Sequence, residues 1–170
     1  MKRLKQLLEK EHSKKQKDII TSEILKNHIP ISALIELIQN DNGIYAQRGA
    51  YVITGIHDTD KNLLAPYTMD LWKCIHPKNH PSIPRAVYRY LADIKIPKEL
   101  DGEIFELGTK AFVNKRTTIA VKAHIMKILT NLAVKYPELK AEVIFLINQQ
   151  LKGNSSGYKS AAKKELKRLL

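Results

Sequence analysis

Apolar residues recur along the chain at intervals of three and four residues, separated by charged and polar positions. Leu4, Leu7 and Leu8 share one face of a first short helix, and the stretch after Ser13 keeps the same spacing. This periodicity predicts amphipathic α-helices. No segment of useful length alternates between apolar and polar residues, so we expect no β-sheet. The pattern therefore predicts an all-α protein.

Turn-forming residues divide these helices into consecutive pairs. Asp41-Asn42-Gly43 is predicted to separate the two helices of one pair. In the third pair we expect a first helix over about residues 63–75 and a second helix from Ser82 to near Ile94. The pairs are predicted over residues 1–29, a divergent leading pair, and then over 30–60, 61–96, 97–135 and 136–170.

A fixed period of 37 residues connects the pairs. Arg48, Arg85, Lys122 and Lys159 are each separated by this interval. The first helices keep it at apolar positions, namely Leu34 and Leu71, and Ile38, Ile75 and Phe112. A constant period of this length is typical of stacked-repeat proteins, in which each unit buries its apolar face against its neighbours. We expect one domain over residues 1–170, built as an α-α superhelix of about five helix pairs.

Composition indicates a folded protein with acidic partners. Hydrophobic residues make up 44% of the 170 residues, and the formal net charge is +12. That charge favours nucleic acid or an acidic protein, although 23 Lys against 6 Arg weakens the argument for nucleic acid. Cys74 is the single cysteine, which excludes a disulfide within the chain, and we expect it to be buried. Without a signal-peptide pattern or a membrane-length apolar run, we expect cytoplasmic localisation and no membrane insertion.

The repeats resemble HEAT-like repeats of the armadillo-like, α-α superhelix type. Two features carry the resemblance: a proline near the start of each first helix and a cation early in each second helix. These are Pro30, Pro66, Pro97 and Pro137, and Arg48, Arg85, Lys122 and Lys159. The resemblance implies a surface that binds a macromolecular partner. It also implies pairing between an aspartate in the turn and the cation of the second helix, and here only Asp41 fits that position.

Two rows of cations are the candidate binding residues. The first row lies on the second helices at Arg48, Arg85, Lys122 and Lys159, with Arg89 beside it. The second row lies in the turns at Lys78, Lys115, Arg116 and Lys152. Because stacking turns a sequence period into a spatial period, both rows could follow an acidic polymer. Alternatively, the helix cations tie adjacent repeats together and the turn lysines are solvated.

Other chemistry has weaker support. Tyr88 and Tyr90 could stack on bases, but their register also suits the core. His76 and His80 lack further ligands nearby, so we predict no metal site, and no cofactor motif is present. Some HEAT-like proteins are alkylpurine DNA glycosylases. Such an activity would need an aspartate, here Asp70 or Asp93, with an exposed aromatic partner such as Trp72. The period instead places Trp72 in the core.

The sequence thus favours a scaffold or adaptor, without chemistry of its own, that binds an acidic macromolecule. A nucleic-acid-binding module and, less favoured, a glycosylase-like repair protein remain open. We expect a monomer.

Overall fold

The computed structural model describes residues 1–41, 43–75, 80–151 and 155–170, and over these residues it contains helices and no strand. This agrees with the predicted all-α class. The α-helices are α1 (Lys2–Lys10), α2 (Lys14–Leu25), α3 (Ile31–Asn40), α4 (Ile44–Asp60), α5 (Thr68–Lys73), α6 (Ser82–Leu91), α7 (Asp101–Val113), α8 (Ile119–Lys135), α9 (Lys140–Gln149) and α10 (Ser156–Leu169). None of the helices described is long and apolar enough to cross a membrane.

Side-chain caps begin two of these helices, α2 and α10. Ser13 accepts a hydrogen bond from the backbone N–H of Gln16 at the start of α2, and Ser155 does the same for Tyr158 in α10. Each cap satisfies a backbone N–H that has no partner within the helix. Polar residues directly before a periodic apolar run therefore set where these helices begin.

The third pair departs from the predicted helix boundaries. The expected helix over residues 63–75 is wrong, because a 3-10 helix over Lys61–Tyr67 precedes a short α5. Pro66 lies inside this 3-10 segment, where its ring and missing N–H disfavour regular α-helix. Its second helix, α6, also ends earlier than predicted, at Leu91.

Residues Met1–Tyr90 form the first of two compact units. Within it, α1, α2 and α3 all contact α4. Gly55 allows the closest approach, since a Cβ atom there would lie 2.4 Å from Oγ1 of Thr21 on α2. Cys74 is buried as predicted, and burial raises the pKa of its thiol to about 11. A glycine is thus required in α4 by close packing against α2.

Residues Leu91–Leu170 form the second compact unit. Helix α8 lies at its centre and contacts α7, α9 and α10. Phe112, Ile125, Met126 and Ile147 are fully buried in this unit. The prediction of a single repeat domain over residues 1–170 stays a prediction.

Candidate binding surface

Arg48 lies on α4 and is bonded within its own unit. Its Nη1 donates to the carbonyl oxygen of Leu8 on α1, 2.5 Å away. The Asp41 carboxylate, which the family resemblance would pair with Arg48, instead accepts hydrogen bonds from the backbone N–H groups of Gly43 and Ala46. In this repeat, the aspartate therefore caps α4, and the arginine connects two helix pairs.

Lys122 occupies the same register position on α8 and is buried, with 7% of its surface exposed. Its Nζ donates to Oε1 of Gln150, which follows α9, over 2.9 Å. Burial disfavours the charged form and lowers the pKa of this ammonium group. Lys122 therefore connects two helix pairs inside the second unit.

Arg85 and Lys159, the other two members of this row, are exposed. Neither side chain forms a hydrogen bond or ion pair with any residue that the structure describes. The row predicted from the 37-residue period thus contains two cations with intramolecular bonds and two that face solvent.

Arg89 forms an ion pair within the first unit. Its guanidinium group donates twice to the Asp58 carboxylate of α4, over 2.6 and 3.4 Å. The neighbouring Tyr88 and Tyr90 are buried, and the hydroxyl of Tyr90 shares a 2.8 Å hydrogen bond with Thr68. Burial also raises the pKa of Tyr88 to about 12. The core interpretation of both tyrosines is confirmed, and base stacking on them is wrong.

The turn cations that the structure describes are Lys115 and Arg116, between α7 and α8. Both are exposed, and the backbone N–H of Arg116 donates to Oδ1 of Asn114 over 2.9 Å. Neither side chain has a partner within the described ranges. Lys78 and Lys152 lie outside the described residues, as does His76.

The residues that a glycosylase-like protein would need do not form an exposed site with an aromatic side chain beside an aspartate. Trp72 is 5% exposed and meets Tyr88 edge to face in the core, as its period predicts. Asp93 lies in the turn after α6 and accepts a hydrogen bond from Lys127 over 2.5 Å, whereas Asp70 pairs with Lys73. Trp72 is therefore not available as an exposed aromatic partner for either aspartate.

The concentration of charge on α10 extends beyond the predicted binding residues, which include only Lys159 of this helix. Lys163, Lys164 and Lys167 are exposed, and their side chains, like that of Lys159, have no bonding partner in the described chain. Arg168 is bonded, to the Glu165 carboxylate and the Asn131 side chain. Counting acids by segment would have revealed this bias. Residues 107–170 contain thirteen Lys and Arg against three Asp and Glu, a net charge of +10 out of +12.

Comparison with known proteins identifies the repeat type. A family model of a HEAT repeat domain matches residues 4–169. The match and the helices together confirm the predicted all-α fold of HEAT-like helix pairs. No curated protein and no solved structure matches the chain.

Proposed function

The chain belongs to the HEAT repeat domain family, and we propose that it is a non-enzymatic scaffold that binds an acidic protein through exposed cations. HEAT repeats generally mediate protein interactions, because stacked helix pairs present an extended surface. Excess positive charge on such a surface attracts a negatively charged partner and disfavours a positively charged one.

One observation carries the proposal: the cations of residues 107–170 greatly outnumber the acids, and several face solvent without intramolecular partners. Lys115, Arg116 and Lys159 are exposed members of the predicted binding set in this segment. Arg85 is the corresponding exposed member in the first unit. By contrast, Arg48, Arg89 and Lys122 have intramolecular bonds, which a partner would have to replace.

Binding of labelled polyglutamate, a labelled DNA duplex and a labelled single strand, each at two salt concentrations, tests this function. We expect polyglutamate to bind at low salt and to dissociate as salt rises, since screening weakens contacts between exposed charges. The double variant Lys115→Gln/Arg116→Gln should weaken binding about fivefold, as expected for the loss of two exposed charge contacts.

The matched control removes two cations that already have acidic partners. Lys110 is bonded to Glu106 and Lys127 to Asp93, so Lys110→Gln/Lys127→Gln makes the same change in net charge. We expect this control to weaken binding less than the Lys115/Arg116 variant. Equal losses would show that overall charge, rather than the exposed cations, governs binding.

The same measurement decides between partner classes. Binding of either DNA form with a steep salt dependence, without binding of polyglutamate, would favour the nucleic-acid-binding alternative. Absence of binding to all three probes at low salt would contradict both a cationic scaffold and a nucleic-acid module.

A further inference from the structure

Helix α10 carries a groove with an apolar floor and a cationic rim. Its apolar floor is lined by Leu151 and Leu166, which are half-buried, and by the exposed Leu170, and the open groove has a volume of about 500 Å³. The rim consists of Lys159, Lys163 and Lys167, which follow one another at intervals of four residues. Residues four apart share one face of a helix. The three ammonium groups thus lie beside the leucines on a single face.

In the preceding repeat, the equivalent face of the second helix is buried. Shifting its five positions from Lys159 to Leu170 back by 37 residues gives Lys122, Met126, Leu129, Thr130 and Ala133 of α8, whereas Leu151 shifts to the exposed Asn114 before that helix. All five residues of α8 are at most 7% exposed. In α8, the following pair contributes to this burial, since α9 and α10 contact α8 and Gln150 bonds Lys122. The groove therefore has the position of a surface on which a further helix packs.

Charge makes the α10 face different from its α8 counterpart. Met126 and Thr130 of α8 are replaced in register by Lys163 and Lys167. Glu165, the one acidic residue of α10, is already bonded to Arg168. An uncharged helix packed here would remove the ammonium groups from water without counterions, which is unfavourable. A helix with carboxylates beside its apolar residues would cover the leucines and pair the lysines.

We propose that this groove binds an acidic amphipathic helix of a partner protein. The inference rests on the proposed function, because it names the class of partner and the place where that partner docks. A phosphate backbone would pair the lysines but leave the leucines uncovered. A second copy of the chain placed α10 against α10 would bring the lysines of both copies together. The combination of leucine floor and lysine rim favours the acidic helix over both.

The test uses the full chain and a synthetic helical peptide with leucines along one face and glutamates flanking them. One control peptide has glutamine in place of every glutamate, and another has serine in place of every leucine. We expect the first peptide to bind at least about tenfold more tightly than either control, since each control removes one of the two kinds of contact. If the leucine-free peptide bound as tightly as the first peptide, the proposal that the groove binds an amphipathic helix would be wrong.

Charge reversal on α10 supplies the matched variants. Lys163→Glu lies on the rim, whereas Lys164→Glu makes the same change at an exposed neighbour outside the groove. We expect Lys163→Glu to weaken peptide binding about tenfold and Lys164→Glu by no more than about twofold. If both variants weakened peptide binding equally, the groove would not be the binding site of the peptide. The proposed function would still hold in that case, provided that polyglutamate binds. Absence of polyglutamate binding would instead contradict the proposed function.

The two other occupants have distinct readouts. If sedimentation equilibrium shows a dimer that Lys163→Glu dissociates and Lys164→Glu does not, the occupant is a second copy of the chain, and the proposal is wrong. If duplex DNA displaces the peptide and Lys163→Glu weakens DNA binding tenfold, the occupant is nucleic acid, and the proposal is likewise wrong. A monomer whose peptide binding resists DNA competition supports the acidic helix.

Discussion

Helices α8 and α10 occupy equivalent positions in consecutive repeats, but their cations have opposite surroundings. All three lysines of α8 are bonded: Lys122 to Gln150, Lys127 to Asp93, and Lys135 to Asp101. In α10, Arg168 is bonded, whereas Lys159, Lys163, Lys164 and Lys167 face solvent without a described partner. The repeat register thus fixes where a cation stands on its helix, and the neighbouring helices determine whether it supports the fold or is available to a partner.

The largest effect is expected when α8 is given the charge of α10. Met126 is fully buried, and its register equivalent Lys163 is exposed. We expect Met126→Lys to lower the free energy of unfolding by about 3 kcal/mol or more, because it buries an ammonium group without a counterion. The reverse exchange, Lys163→Met, should change it by less than about 0.5 kcal/mol. Urea denaturation of both variants measures the difference, and similar losses would show that the two faces are equivalent.

A smaller effect is expected from the ion pair at the end of α8. Lys135 bonds the buried Asp101 carboxylate, which also accepts a 2.7 Å hydrogen bond from the Tyr136 hydroxyl. This ion pair raises the pKa of Lys135. We expect Lys135→Gln to lower the melting temperature by about 3 °C, because Asp101 loses its charged partner.

Lys164 of α10 provides the control for that ion pair. It is exposed and has no bonding partner among the described residues. Lys164→Gln should therefore move the melting temperature by no more than about 1 °C. If both substitutions lowered it equally, bonded and solvated cations would contribute alike, and the distinction between α8 and α10 would fail.

The helix pairs were predictable because their signals are local and repeated. Apolar spacing, the Ser13 cap and the 37-residue period are all read directly from neighbouring positions in the chain. Pro66 was visible as well, but its effect depends on the local backbone. A proline in the first turn can continue a helix, whereas here it lies within a 3-10 segment. Boundaries were therefore less predictable than the existence and type of the helices.

The roles of the cations were not predictable from the period alone. Lys122 and Lys159 stand in the same register, but Gln150, 28 residues further along the chain, bonds only the former. Similarly, Leu8 provides the carbonyl for Arg48 from 40 residues away. Such partners become neighbours only through packing, so the sequence interpretation left both structural and binding roles open. The excess of positive charge in residues 107–170, in contrast, can be found by counting charged residues in the sequence.

The smallest effect is expected when the stabilities of Lys122 and Lys159 variants are compared as pH changes. Burial lowers the pKa of Lys122 below its ordinary 10.5, so as pH rises toward that value the folded chain releases this proton before the unfolded chain does. Since the unfolded state then holds more protons, stability should increase with pH relative to Lys122→Met and level off above 10.5. Near neutral pH, the two proteins should differ by no more than about 1 kcal/mol, because Met replaces a buried charge with an apolar group of similar length. Lys159→Met should change the free energy of unfolding by less than about 0.5 kcal/mol, because the Lys159 side chain is exposed. The measurement is the free energy of unfolding of all three proteins between pH 7 and 11. If the three curves stayed parallel, burial would not destabilise the charged form of Lys122. The two register positions would then not differ energetically.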